Sequence, residues 1–124
     1  MNLKAHKNFL IVEDNPICQK IYQFTFNRLN CPITIAGTAN DARCLVNQRR
    51  YDCILLDWGL PDCEDESLLK TIRTAPLNMT TPIFVISAQK SPEMIRICQD
   101  LGTQGVYSKP INIDDISALV TPYL

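Results

Sequence analysis

Short runs of apolar residues that end abruptly at polar residues recur along the chain. They cover residues 9–12, 33–36, 53–56 and 82–86, and a fifth short run covers 105–108. Continuous apolar runs of this length, bounded by turn-forming residues, are typical of strands that are buried on both faces of a parallel sheet. The pattern therefore predicts five strands.

Helical patterns fill the segments between these strands. After Asn15-Pro16, an N-cap residue followed by a first-turn proline, four apolar residues recur at helical intervals: Ile17, Ile21, Phe24 and Leu29. Thr38, with Asp41 three residues later, is typical of a capped helix start. We predict helices over 16–30, from Thr38, from about Glu64 to Arg73, from Ser91 to a stop at Gly102, and over 114–120.

Strands that alternate with helices over short connections predict an α/β fold, with a parallel sheet between helices on both faces. The length of 124 residues predicts a single domain over residues 1–124, of which we expect residues 1–7 to be flexible. Lys and Arg number 12 against 13 Asp and Glu, so a broad basic surface for nucleic acid is excluded. No apolar stretch reaches the roughly 18–20 residues of a membrane span.

The six cysteines form no Cys-x-x-Cys pair, and the chain has one histidine. This spacing argues against a structural zinc site. Reduced thiols in a cytoplasmic protein are favoured over a secreted disulfide framework, because such frameworks are usually smaller and poorer in core residues. We therefore predict a cytoplasmic location without membrane contact.

Polar residues stand where the predicted strands end. Glu13 and Asp14 follow the first strand, Asp57 the third, Ser87 the fourth and Lys109 the fifth. Ligands of open parallel sheets bind beyond the carboxyl ends of the strands, so these side chains are expected to converge at one edge.

The residue types in this set indicate a chemistry. Three close carboxylates repel one another unless a cation is present, and oxygen ligands of this kind suit Mg²⁺. A carboxylate also serves as a nucleophile toward phosphorus, while an ammonium and a hydroxyl stabilise the charge of a transferring phosphoryl group. The set therefore predicts phosphoryl transfer onto Asp57.

Four motifs in order along the chain resemble the receiver domains of two-component response regulators. Their residues are most similar to those of receivers in hybrid sensor kinases. The motifs are Val12-Glu13-Asp14-Asn15, Leu55-Leu56-Asp57-Trp58-Gly59-Leu60-Pro61, Ile86-Ser87-Ala88 and Ser108-Lys109-Pro110. The resemblance implies a flavodoxin-like (βα)5 three-layer sandwich with strand order 2-1-3-4-5. It implies a phosphorelay switch rather than a turnover enzyme.

The resemblance also implies a role for each site residue. Asp57 is expected to take a phosphoryl group from a histidine kinase or histidine phosphotransfer domain. Glu13, Asp14, Asp57 and the Gly59 carbonyl are expected to bind Mg²⁺, and Ser87 and Lys109 to contact the phosphoryl group. The implied phosphodonor surface is the first helix with the loops near Asp57. The face from Ser91 to Val120 is implied to signal, or to form a homodimer on phosphorylation.

Two positions depart from this family's pattern. Relatives often carry an aromatic residue three positions before the lysine, where this chain has Val106, with Tyr107 next to it. Relatives also commonly carry Asp-Gly where this chain has Glu64-Asp65, which leaves the loop without the residue that favours positive φ.

Two alternatives remain open from the sequence. An aspartate-nucleophile phosphatase of haloacid-dehalogenase type needs a second Asp two residues after the nucleophile, where this chain has Gly59. A receiver-like module that only binds a partner would show no Mg²⁺-dependent binding of beryllofluoride.

Overall fold

The computed structural model describes residues 7–124, and helices and strands alternate through them as the sequence predicts. The expected flexibility of residues 1–7 falls mostly on residues outside that range. The elements are β1 (Phe9–Val12), α1 (Pro16–Arg28), β2 (Ile33–Ala36), α2 (Ala39–Gln48), β3 (Cys53–Trp58), α3 (Asp65–Thr74), β4 (Ile83–Ser87), α4 (Pro92–Asp100), β5 (Gly105–Ser108) and α5 (Ile113–Val120), with a 3₁₀ turn at Thr121–Tyr123.

The five strands form one parallel sheet in the order β2-β1-β3-β4-β5, which confirms the flavodoxin-like topology. In register, Val12 pairs with Leu56, Asp57 with Ile86, and Ser87 with Ser108. The carboxyl ends of β1, β3, β4 and β5 therefore lie side by side. This edge, called the carboxyl edge below, carries the polar residues singled out by the sequence.

Side-chain capping explains where four of the five helices begin, and α3 is the exception. The Asn15 side chain accepts hydrogen bonds from the backbone N–H groups of Ile17 and Cys18, and the Thr38 side chain accepts one from Asp41. These contacts satisfy donors that have no partner within the helix. Gly102 has φ of +72° and ends the segment after α4, as predicted.

Apolar side chains on both faces of the sheet form two cores, which makes the fold a three-layer sandwich. Helices α2, α3 and α4 cover one face, where Val46, Leu69 and Cys98 belong to the same core as Leu56. Helices α1 and α5 cover the other face, where Phe26 and Ile116 belong to the core. Among residues 7–124, no helix combines the length and the apolar character that crossing a membrane requires.

The apolar spacing in the first helix predicts the element but not its buried face. Tyr22 and Phe26 are buried, whereas Ile17, Ile21 and Phe24 are 71%, 37% and 53% exposed. The helix is confirmed, and it ends at Arg28 rather than near Asn30. Two apolar stripes compete on this helix, and spacing alone does not distinguish the one that packs on the sheet.

Candidate functional site

Three carboxylates from distant parts of the sequence meet at the carboxyl edge. Glu13 and Asp14 follow β1, and Asp57 lies within β3 next to it in the sheet. One oxygen from each of the three carboxylates lies within 4.8 Å of the others. The convergence expected from the strand ends is therefore present. Asp57 lies one residue before the end of β3, because that strand continues through Trp58.

Burial differs sharply among these three acids. Glu13 is 1% exposed and Asp57 7% exposed, while Asp14 is exposed to solvent. Lys109 Nζ lies 3.1 Å from Glu13 Oε1 and 2.9 Å from Asp57 Oδ1. Two buried carboxylates thus share one ammonium, and Asp14 adds a third negative charge beside them. The site carries excess negative charge, which a cation can neutralise.

The pKa values follow from this arrangement. Burial raises the pKa of Asp57 to about 6, since the neighbouring Glu13 charge adds to the burial and the hydrogen bond from Lys109 only partly opposes it. Burial alone would lower the pKa of Lys109, but hydrogen bonds to Asp57 and Glu13 outweigh it and raise that pKa. At neutral pH the carboxylate of Asp57 is therefore ionised, although its surroundings disfavour the charged form.

Backbone and amide groups fix the orientation of Glu13. The backbone N–H of Asn15 donates to Glu13 Oε2 at 3.2 Å, and the side-chain amide of Gln19 donates to the Glu13 carbonyl at 2.7 Å. The sequence pattern did not reveal Gln19, because a glutamine one helical turn after an N-cap carries no distinctive spacing. The contact ties the start of α1 to the end of β1.

Ser87 ends β4, and Lys109 directly follows β5, the two strands beyond β3 in the sheet. The Ser87 hydroxyl donates to the backbone carbonyl of Gln89 and accepts from the Gln89 N–H at 3.2 Å. Its side chain is thus engaged in the loop after β4 rather than with Asp57. The peptide bond between Lys109 and Pro110 is cis. An open cavity of about 370 Å³ lies alongside, between the loop after β4, Trp58 and Met94.

The loop after β3 forms its turn without positive φ at Glu64 or Asp65. Gly59 has φ of +125°, a conformation that favours glycine, and its N–H donates to Asp65 Oδ1 at 2.7 Å. Glu64 has φ of −71° and serves as the N-cap of α3. The departure at these positions is therefore accommodated by a side-chain contact from Asp65.

Tyr107 lies on the opposite face of the sheet from Val106, the position where relatives often carry an aromatic residue. Tyr107 belongs to the core beneath α1 and α5, with its ring 5.9 Å from that of Phe84. Val106 packs against the core beneath α2, α3 and α4. Trp58 is partly buried against that same core.

The donor set fits a hard divalent cation. Three carboxylate oxygens within reach of a single ion, one of them solvent-exposed, leave room for water and a phosphate oxygen, as Mg²⁺ prefers. All six cysteines are free thiols, and none is among these donors. A nucleophilic carboxylate beside an ammonium and a cation site can accept a phosphoryl group.

Comparison with known proteins agrees with this geometry. The family model described as response regulator receiver domain matches residues 9–121. Sensor histidine kinase AruS of Pseudomonas aeruginosa is 37% identical over 109 residues, which cover 86% of this chain and 11% of the kinase. The chain spans only about a tenth of the length of the sensor kinases it matches first. The matched segment covers 11% of one kinase and 12% of another.

Solved structures share the fold. Chemotaxis protein CheY4 of Vibrio cholerae superimposes with a TM-score of 0.87 at 21% identity, covering 95% of this chain and 98% of that one. The receiver domain of sensor histidine kinase PA1611 from Pseudomonas aeruginosa gives a TM-score of 0.83 at 24% identity, covering 94% and 96%. That second structure has a magnesium ion coordinated in its active site cleft.

Proposed function

The chain belongs to the response regulator receiver domain family and is a receiver domain of two-component signalling, and we propose that Asp57 is the residue on which it accepts a phosphoryl group. The observation that supports this most strongly is the meeting of Glu13, Asp14 and Asp57, with oxygens within 4.8 Å of one another. Asp57 lies far from the adjacent Glu13 and Asp14 in the sequence, and the sheet brings it to the same edge.

In the proposed reaction a carboxylate oxygen of Asp57 attacks the phosphorus atom of a phosphohistidine on the partner. A phosphorus–oxygen bond forms, the phosphorus–nitrogen bond breaks, and the imidazole nitrogen keeps the electron pair. Asp57 must be deprotonated to attack. A pKa of about 6 leaves most of the carboxylate ionised at neutral pH.

We propose that Glu13, Asp14 and Asp57 hold Mg²⁺, with the Gly59 carbonyl as a further ligand. When bound, the ion supplies positive charge that offsets the carboxylate repulsion and the charge on the phosphoryl oxygens. The magnesium ion in the PA1611 receiver structure supports this assignment. The short distances among the three acids support it independently.

Lys109 and Ser87 are proposed to contact the transferred group. Lys109 Nζ is already 2.9 Å from Asp57 Oδ1, so its positive charge lies beside the carboxylate that is proposed to receive the phosphoryl group. Ser87 reaches a phosphoryl oxygen only after its hydroxyl leaves the Gln89 carbonyl. The two residues therefore differ: the lysine is in position before the reaction, and the serine moves during it.

The proposed partner is a histidine kinase or a histidine phosphotransfer domain, which meets the exposed stripe on α1. Ile17, Ile21 and Phe24 form that stripe beside the site, and Lys20 and Arg28 are the charged residues of the helix. Exposed apolar residues with basic neighbours suit a partner that presents apolar and acidic side chains. Homodimerisation through the face from Ser91 to Val120 and a cytoplasmic location stay predictions.

Labelling with acetyl phosphate tests the acceptor. We expect the unmodified chain to gain one acid-labile phosphoryl group in the presence of Mg²⁺, and Asp57→Asn to gain none, because the amide cannot attack phosphorus. Asp114→Asn is the matched control, since Asp114 is an exposed acid on α5, and we expect it to label like the parent. Equal labelling of Asp57→Asn and the parent would contradict the proposal.

A second phosphodonor separates the chemistry from the partner surface. With a phosphorylated histidine kinase as donor, we expect Ile17→Ser to accept phosphoryl groups more slowly while labelling normally with acetyl phosphate. A small donor needs no docking surface, whereas a protein donor does. Unchanged transfer from every histidine kinase tested would show that the α1 stripe is not the donor surface.

A further inference from the structure

One acidic residue beyond the carboxylate group, Asp62, joins the loop after β3 to the amino end of α2. Its Oδ1 accepts the backbone N–H of Ala39 at 2.9 Å, and its Oδ2 accepts that of Asn40 at 3.1 Å. Thr38 Oγ1 accepts the N–H of Asp41 at 3.0 Å. Two of the first three N–H groups of α2 are thus capped by a residue that lies 22 or more positions away in the sequence.

The electrostatics favour a charged carboxylate at this place. The amino end of a helix presents N–H donors and the positive end of the helix dipole, both of which stabilise an anion. The hydrogen bond from the Ala39 N–H, followed by that from Asn40, lowers the pKa of Asp62. The carboxylate therefore stays ionised, and remains a good acceptor, through the neutral pH range.

A second contact joins the same loop to α2. Arg43 Nη2 lies 2.6 Å from Cys63 Sγ, one helical turn after the residues that Asp62 caps. Within the loop, Leu60 is buried in the core, and the Gly59 N–H is held by Asp65. Residues 59–65 are therefore fixed at Gly59, Leu60, Asp62 and Cys63, of which the last two depend on α2.

We propose that Asp62 is a positioning residue, which docks the loop of residues 59–64 on α2 and thereby holds Gly59 in place beside Asp57 for binding of the metal ion. This inference rests on the proposed function, since the metal gives the loop its task. Helix α2 contributes no side chain to the site. In this inference it serves as a fixed support for the loop.

Two measurements on the full chain test the inference. Amide hydrogen exchange without metal reports whether the loop is docked on α2. A Mg²⁺ titration reports whether that docking affects Mg²⁺ affinity. Trp58 is the single tryptophan and directly follows Asp57, so its fluorescence is the readout of the titration. The variants are Asp62→Ala, which removes both acceptors, and Asp62→Asn, which keeps one oxygen.

We expect Asp62→Ala to speed amide exchange in residues 59–65 as well as at Ala39 and Asn40. We expect its Mg²⁺ affinity to fall about fivefold, the size typical for the loss of a helix-capping side chain, and that of Asp62→Asn to fall about twofold. Asp41→Ala is the control: it removes an acid from the same turn of α2, and we expect unchanged Mg²⁺ affinity.

The outcomes distinguish this inference from the proposed function. Faster exchange confined to α2, with unchanged Mg²⁺ affinity, would show that Asp62 merely caps a helix and would overturn the inference. An unmodified chain that binds no Mg²⁺ would overturn the proposed function, and the positioning role with it. A loss of affinity in Asp41→Ala equal to that in Asp62→Ala would show a general effect of charge and also overturn the inference.

Discussion

The edge of the sheet where the strands begin, called the amino edge below, differs from the carboxyl edge. Asn78 at the amino edge is fully buried and all the hydrogen-bonding positions of its side chain are in use. At the carboxyl edge, two buried carboxylates share one ammonium group. The Asn78 amide donates to the carbonyls of Val46 and Arg49 at 2.7 and 2.9 Å. Its oxygen accepts from the Tyr51 N–H at 3.0 Å and the Thr81 hydroxyl at 2.9 Å. These five residues are called the amino-edge network.

The cation at the amino edge is also satisfied by neutral groups. Arg73 donates to the carbonyls of Leu101, Thr81 and Gly102 at 2.7 to 2.9 Å. Burial lowers the pKa of this guanidinium, and carbonyl oxygens replace the water it loses. Buried polar groups with complete partners stabilise a fold, whereas partly compensated charges are typical of sites that bind a ligand. Asn78 and Arg73 have complete neutral partners, whereas the Tyr51 hydroxyl and the Asn8 side-chain nitrogen, also buried near this edge, have none among the described residues. What distinguishes the carboxyl edge is therefore its excess of negative charge.

The largest effect on stability is expected at the amino edge. Asn78→Ala removes the partner of two carbonyls, the buried one of Val46 and the partly buried one of Arg49, and of the Tyr51 N–H, while the Thr81 hydroxyl keeps the Tyr51 carbonyl at 3.3 Å. We therefore expect the free energy of unfolding to fall by about 3 kcal/mol. Urea denaturation measures it. Asn47→Ala, which removes an exposed asparagine with one hydrogen bond on α2, is the control and is expected to change stability by less than about 0.5 kcal/mol. Equal effects would show that the network is not specially stabilising.

Replacing Asp57 with a neutral residue is expected to raise the stability of the fold, whereas the change at Asn78 lowers it. In Mg²⁺-free buffer at neutral pH, Asp57→Asn removes a buried charge whose pKa is raised, so we expect the free energy of unfolding to rise by about 2 kcal/mol. Asp52→Asn at the amino edge is the contrast. Asp52 accepts the Asn8 N–H at 2.8 Å, and its neutralisation is expected to lower stability by about 1 kcal/mol. A loss of stability in both variants would contradict the comparison.

The pH dependence follows from the same pKa. Asp57 has a pKa of about 6 in the folded chain against 3.8 in the unfolded reference, so the folded state binds more protons between these values. The unfavourable contribution of the Asp57 carboxylate to the free energy of unfolding is absent below the lower pKa and complete above the higher one. The stability difference between Asp57→Asn and the parent is therefore expected to grow as pH rises from about 4 to about 6. A difference that stays constant with pH would contradict a raised pKa.

The positions of the strands and the meeting of the three carboxylates at one edge could be predicted from the sequence. Asp57 follows an apolar run, and Lys109 ends a later one, because a parallel sheet needs apolar strands and brings their carboxyl ends together. The capping of α2 by Thr38 also agrees with the prediction. These features depend on local chemistry or on the topology of the sheet.

The buried face of α1 and the contacts of Asp62 could not be predicted in this way. Ile17 and Phe24 have the spacing of a core stripe but face solvent, since the sheet packs on Tyr22 and Phe26 instead. Asp62 caps a helix that precedes it in the sequence, and no local pattern reveals such a tertiary contact. Packing between elements decides both features.

The most direct test of the central claim is the location of the phosphoryl group after treatment with acetyl phosphate. The chain is incubated with and without Mg²⁺, and the modified residue is identified by peptide mass spectrometry. We predict one phosphoryl group, carried by Asp57 and formed only when Mg²⁺ is present. A phosphoryl group on any other residue, or equal labelling of Asp57 after removal of the metal, would contradict the account.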